Sequence, residues 1–199
     1  MKHPRSVQAA LETFAALLLR WNRTVNLVAR RDEPNLWGRH IDDSLQLAAL
    51  IPPGTPRAID LGSGGGFPGL VLAIATTIPF DLIESDQRKA TFLREAARAT
   101  GAPATIHNTR IEAALLPAAP LVTARALASL PDLLALATPK LTQSGICLFL
   151  KGENVASELT TAATQWHMRC DCLPSRTNPT ASILRISEIA RADRPRDPA

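Results

Sequence analysis

Residues 57–69 read Arg-Ala-Ile-Asp-Leu-Gly-Ser-Gly-Gly-Gly-Phe-Pro-Gly, a short apolar run, an aspartate inside it, and then five glycines within eight residues. Glycine lets a backbone turn tightly and come close to a ligand. Leu70-Val-Leu-Ala-Ile-Ala75 follows at once, so the segment predicts strand, glycine-rich turn and apolar helix. That layout presents backbone N–H groups at a helix N-terminus and suits a nucleotide-type ligand.

Gly64 to Gly69 formally satisfies G-x-G-x-x-G, so a dinucleotide has to be weighed. In that fingerprint the glycines approach a pyrophosphate, and a nearby negative charge is unfavourable. Asp60, at the end of the strand, would repel pyrophosphate and suit an ammonium or sulfonium group. S-adenosyl-L-methionine carries both. The next strand ends at Glu84, twenty-two positions after Gly62, where a carboxylate can accept both ribose hydroxyls in either kind of site. Two structural roles stand beside these: Asp60 capping the turn, and Glu84 or Asp86 capping a helix that starts at Gln87. A dehydrogenase would also need substrate elements, and only about 55 residues precede this part. The spacing of Asp60, Gly62, Gly64 and Glu84 instead resembles class I methyltransferases over roughly residues 57–190.

Along the chain, Val7, Leu11, Phe14, Leu18 and Trp21 recur at helical spacing, with Ser6 as an N-cap. A second helix is predicted from Pro34 to Leu50, and Ile51-Pro-Pro-Gly-Thr-Pro56 breaks the chain. Then strands at 57–61, 79–84, 104–107, 121–124 and 145–150 alternate with helices at 68–76, 87–100, 110–115, 129–138 and 155–165, and a strand pair at 167–173 and 181–187 closes the order. Strands separated by helices predict an α/β fold, a mostly parallel Rossmann-like sheet with helices on both faces. The expected organisation is a helical extension over residues 1–55, a methyltransferase domain over 56–190, and a flexible tail over 191–199.

The net charge of +4 suits a polyanionic partner, and basic residues at 20, 23, 30, 31 and 39 contrast with none between Ile59 and Ile83. The positive field should flank the cofactor site. Cys147, Cys170 and Cys172 form neither an even framework nor C-x-x-C, and His3, His40, His107 and His167 lack ligand spacing, so no metal is expected. Glu12 interrupts the first apolar run, and Leu70–Ile83 contains Pro79 and Asp81, which gives neither a secretory signal nor a membrane span. The expectation is a cytoplasmic monomer.

Five further motifs occur in order around the glycine segment: Trp21-Asn22-x-x-x-Asn26-Leu27 and Arg39-His40-x-x-Asp43-Ser44 before it, and Arg110-Ile-Glu112, Arg125-Ala126 and Leu150-Lys-Gly152 after it. Together with the glycine segment they closely resemble the ribosomal small-subunit RNA methyltransferase G family (RsmG, also GidB), over nearly the whole chain. The resemblance implies methylation by S-adenosyl-L-methionine of guanine N7, at position 527 in the 530 loop of 16S rRNA, with the rRNA or the small ribosomal subunit as partner. It assigns Gly62, Phe67, Ile111, Glu112 and Arg125 to the cofactor site. Guanine N7 carries a free electron pair, so no catalytic acid or base is expected. From its strand-end position Arg125 could clamp the cofactor carboxylate, hold an RNA phosphate, or pair with a helix acid. Arg110 and Lys151 are candidate RNA contacts, Lys151 being open to a solvated strand-end role. Trp21 reads as core, and His40 with Asp43 as a hydrogen-bonded structural pair. Two departures stand out: Pro120 replaces a common Asp, and Ala181 replaces a common Arg, with Arg185 nearby.

Overall fold

A computed structural model describes residues 4–192. Helix α1 (Arg5–Asn22) starts from Pro4, not from the expected Ser6 cap, and buries Leu11, Phe14, Ala15 and Leu18 along one stripe. Pro4 has no N–H to leave unpaired, and its fixed φ suits the start of a helix.

The helix expected over 34–50 is a chain of short pieces. A 3-10 turn (Arg30–Asn35) holds Pro34, a π turn spans Trp37–Asp42, a single α turn, α2, covers Asp43–Leu45, and a 3-10 turn covers Gln46–Leu50. The reason lies in burial. Asp43 to Leu47 are all buried in succession, and a uniform α-helix with one apolar stripe cannot place five consecutive residues, three of them polar, against partners.

The strands β1 (Ala58–Leu61), β2 (Phe80–Ile83), β3 (Ala104–His107), β4 (Ala119–Arg125), β5 (Leu141–Lys151), β6 (Trp166–Pro174) and β7 (Ser182–Arg191) form one sheet in the order β3-β2-β1-β4-β5-β7-β6. Strands β1 to β5 pair in parallel, and β7 runs antiparallel to both β5 and β6. Helices α3 (Gly69–Thr76), α4 (Gln87–Thr100), α5 (Leu130–Ala137) and α6 (Val155–Ala163) supply the crossovers. Asp86 caps α4 by accepting the N–H groups of Arg88 (2.8 Å) and Lys89 (3.1 Å), and Gly101 at φ 65° ends it.

Successive strand residues point to opposite faces, and the core divides accordingly. Ala58, Phe80, Leu82 and Leu148 pack with α1, α3 and α4, whereas Ile59, Leu61, Val122 and Phe149 pack with α5. Asp60 shares the first of these faces, beneath α3.

Three further expectations change. Residues 110–115 make two i+3 bonds, Ala113 N to Arg110 O and Ala114 N to Ile111 O, and form a turn where a helix was expected; Pro117 and Pro120 hold the following chain extended. Strand β5 begins at Leu141, before the expected Gly145. The tail expected from 191 onward does not start there, because Arg191 ends β7 with its guanidinium 4.0 Å over the Trp166 ring and the Ala192 N–H donates to Gln165 O. The rest of that tail lies outside the described residues.

Candidate active site

In a sheet of this order β1 and β4 are neighbours whose crossovers leave on opposite faces, and ligands bind beyond the carboxyl ends of the strands at such a switch point. A cleft of about 690 Å³ opens there. Gly62, Gly64, Phe67, Glu84, Ile111, Glu112 and Arg125 all line it, with Arg110 at its edge. Asp60 does not.

The glycine loop is held in shape by its neighbours. Gly62 takes φ +62°, and a Cβ on it would lie 2.6 Å from Leu127 Cδ1. Gly69 must be glycine for a different reason: a Cβ there would sit 2.5 Å from the Cβ of Asp60. The Gly64 N–H donates to Glu84 Oε2 at 2.8 Å, while Glu84 Oε1 accepts the Asp86 N–H at 2.7 Å. Glu84 thus ties the loop to the end of β2, and each carboxylate oxygen keeps further lone-pair capacity for a ligand.

Asp60 is wholly buried behind this loop, where its Oδ1 accepts the Thr123 hydroxyl at 2.6 Å and its Oδ2 has no hydrogen-bond partner. Burial raises its pKa from 3.8 to about 6, against the opposing pull of Thr123, Ser63 and the Gly69 backbone. The expectation that its carboxylate faces the ligand directly is corrected: the side chain is on the α3 face of β1, and Gly69 closes over it.

Sequence reasoning left out the opposite wall. Leu27, Val28, Ala29, Asp32, Arg39 and His40 form it. Asn22 shapes its first part, its Oδ1 accepting the N–H groups of Leu27 (2.8 Å) and Val28 (3.0 Å) and its Nδ2 donating to Val28 O and to Glu33. His40 is buried with its ring centroid 5.0 Å from that of Phe67 and Nε2 3.4 Å from Asp32 Oδ2. Burial, and then the Arg125 charge, lower its pKa from 6.5 to about 4, against the pull of Asp32. The expected His40–Asp43 pair is not formed. The one sequence signal for this wall is His40, a polar residue on a segment whose apolar neighbours Leu36 and Ile41 are core.

Arg125 ends β4 with its guanidinium carbon 5.9 Å from the Phe67 ring centroid, its Nη2 donating to Arg39 O at 3.0 Å and its Nη1 3.4 Å from Asp43 Oδ2. Of the roles considered for it, the ion pair with an acid from the helical segment is present. Burial pulls its pKa down and Asp43 holds it up. Ala126 follows at φ +49°, a left-handed value uncommon outside glycine, and turns the chain so that Leu127 covers Gly62.

A second cleft of about 480 Å³ shares Arg39, Arg125 and Ala126 with the first. Lys151 and Ala181 lie in its wall.

The family model for rRNA small subunit methyltransferase G (GidB) matches residues 7–175. The chain belongs to the rRNA small subunit methyltransferase G family. It is 54% identical over 187 residues to the ribosomal RNA small subunit methyltransferase G of Gluconobacter oxydans, covering 94% of this chain and 96% of that one, and 55% identical to that of Granulibacter bethesdensis, covering 94% and 88%. Among solved structures it is similar in fold to a putative class I S-adenosylmethionine-dependent methyltransferase from Listeria monocytogenes (TM-score 0.62, 12% identity, 96% and 71% covered). A second is the ribosomal protein L11 methylase of Lactobacillus delbrueckii (0.58, 18%, 73% and 76%).

Against the family pattern, Pro120 is accommodated within β4 at the irregular register between Ala119 and Leu121. Arg185, the arginine near Ala181, pairs through Nη1 with Asp171 at 3.2 Å and lines neither cleft. Lys151 is likewise committed. Its side chain is 9% exposed, and its Nζ donates to Ala128 O at 2.9 Å and forms an ion pair with Glu158 Oε2 at 2.6 Å, so it pins α6 to the β4–α5 loop. The expectation of a free phosphate-binding ammonium is corrected. Arg110 is exposed on the rim of the first cleft. Among the described residues, no three His, Cys, Asp or Glu side chains could hold a metal ion, and no helix is long and apolar enough to cross a membrane.

Proposed function

We propose that this chain transfers the methyl group of S-adenosyl-L-methionine to N7 of a guanine in 16S rRNA, position 527 of the 530 loop. The observation that carries the reading is the convergence, in one cleft of a methyltransferase G family member, of the glycine loop, the Glu84 carboxylate and the Arg125 guanidinium. The residues fit the cofactor. Glu84 has lone pairs left for ribose hydroxyls, Ile111 and Phe67 offer apolar surface for adenine, Glu112 borders it, and Arg125 can hold a carboxylate. Asp60, from behind the loop, supplies negative potential to a cationic ligand through a medium of low dielectric constant. When bound, the cofactor supplies an electrophilic methyl group on a positively charged sulfur.

The chain's own contribution is positioning. Guanine N7 carries an unshared pair in the neutral base, so no side chain has to remove a proton first. Orientation of two bound reactants can supply roughly 7–11 kcal/mol of the barrier, and the Glu84-braced loop and Phe67 are the rigid elements available for it. The site lies in folded RNA, so the base has to be splayed from its stack. Arg110 on one rim and the exposed Arg30, Arg31 and Arg39 near the other are placed for phosphates, which makes activity sensitive to salt. We read residues 1–55 as the RNA-facing extension of a catalytic domain over 56–190, working as a monomer in the cytoplasm.

The test is incubation of the protein with methyl-labelled cofactor and unmodified small subunits or 16S rRNA, followed by mapping of the labelled nucleotide. Label on N7 of a 530-loop guanine is the expected result. Label on another base or a small molecule would redirect the substrate assignment, and RNA binding with no transfer would make the chain an assembly factor.

A further inference from the structure

Asp43 is the hub of a buried polar cluster that joins three distant parts of the chain. Its Oδ1 accepts hydrogen bonds from Gln46 Nε2 (2.8 Å), the Ser175 hydroxyl (3.2 Å) and the Thr177 hydroxyl (2.6 Å). Gln46 closes the ring by donating to Ser175 Oγ at 3.1 Å and accepting the Arg176 N–H at 2.9 Å. Three donors on one oxygen fix that carboxylate in place. Its other oxygen faces Arg125 Nη1 at 3.4 Å without hydrogen-bond geometry, and Nη1 has no other partner. The contact between them is therefore mainly one of charge.

Arg125, with Arg39 and Ala126, stands in the wall common to both clefts, and the Phe67 ring lies on one side of it. A buried guanidinium goes where its counter-charge is. Its other anchor, Arg39 O, is a backbone carbonyl on the same helical segment as Asp43. We propose that Asp43 is a positioning residue: clamped by Gln46 and the β6–β7 loop, it holds the Arg125 guanidinium at the cofactor cleft and thereby sets cofactor affinity. Two segments that do not line the first cleft, 43–46 and 175–177, are in this way coupled to the cofactor site.

This rests on the reading of the first cleft as the S-adenosylmethionine site, and calorimetric titration of the full chain with that compound tests the two separately. Asp43→Asn keeps an acceptor for Thr177 and removes the charge facing Arg125. Asp43→Asn is expected to weaken binding about tenfold, Arg125→Gln at least as much, and the double variant no more than about threefold beyond Arg125→Gln alone, because residues acting through one contact are not additive. In turnover, Asp43→Asn should raise KM for the cofactor with kcat within about twofold, the mark of lost uniform binding. Should Asp43→Asn fail to fold, Thr177→Val in the same cycle carries the test: weaker binding beside Arg125, and no further loss beside Gln. Wild-type affinity in the single variants, or losses that multiply in the double, would overturn the positioning role. A wild-type chain that binds no S-adenosylmethionine would overturn the cofactor reading and this proposal with it.

Discussion

Replacing Asp60 by Asn should alter the pH dependence of stability more than stability at any one pH. Asp60 is fully buried, and burial raises its pKa from 3.8 to about 6. A carboxyl whose folded value lies above its unfolded one contributes stability that is complete below about 3.8 and lost as pH rises through about 6. The interval between the two values corresponds to about 3 kcal/mol, of which about 2.5 kcal/mol falls between pH 4 and pH 7. Asn cannot ionise, yet its Oδ1 can keep the Thr123 hydroxyl. The stability of Asp60→Asn relative to wild type should therefore rise by about 2.5 kcal/mol across that range, whatever constant offset the new amide nitrogen introduces. His40 runs in the opposite sense. Its pKa is lowered from 6.5 to about 4 by burial, so its contribution is present above 6.5 and lost as pH falls through about 4. Common to both proteins, it drops out of their difference and only flattens the wild-type profile. Urea unfolding of both chains at a series of pH values, with equal m-values, gives the difference directly. Parallel profiles would refute the buried-carboxylate reasoning.

Other substitutions probe the remaining geometry. Gly69→Ala would place a Cβ 2.5 Å from Asp60 Cβ, and an overpacked core of this kind should cost about 3 kcal/mol in thermal or urea unfolding. Glu84→Gln leaves one of the two N–H groups at Gly64 and Asp86 without its carboxylate acceptor, and S-adenosylmethionine affinity by calorimetry should fall roughly 10- to 100-fold. Lys151→Met removes the ammonium from Glu158, whose Oε2 keeps the Leu130 N–H at 2.6 Å, so it should destabilise by about 1.5 kcal/mol and leave the salt dependence of RNA binding unchanged; Arg110→Ala should do the reverse, lowering the slope of log affinity against log salt by about 1.

The α/β part was legible because each of its elements carries its own punctuation. Asp86 before Gln87 and Gly101 after Thr100 mark α4 to the residue, and the glycines mark the β1–α3 turn. The cleft's sheet side followed from the same logic, since a carboxylate at the end of β2 can only emerge at the ligand edge. The segment 30–50 was not legible. Its burial is continuous from Asp43 to Leu47, so no single period describes it, and its polar residues find partners at distant positions, Arg125 and 175–177, that no local pattern announces. Asp60 shows a different gap: its place in the sequence was clear, but which face of β1 it occupies depends on the register against β4 and on Gly69 closing above it.

The bond from the Gly64 N–H to Glu84 has a kinetic consequence. A loop already bridged to the neighbouring strand has lost its conformational freedom during folding, so little ordering remains for the moment of ligand encounter. Association should then be fast and nearly independent of ligand, with affinity differences among cofactor analogues appearing in their residence times. The demethylated product, alike in its nucleoside, would meet the same rigid cradle, and its departure becomes the natural candidate for the step that limits turnover.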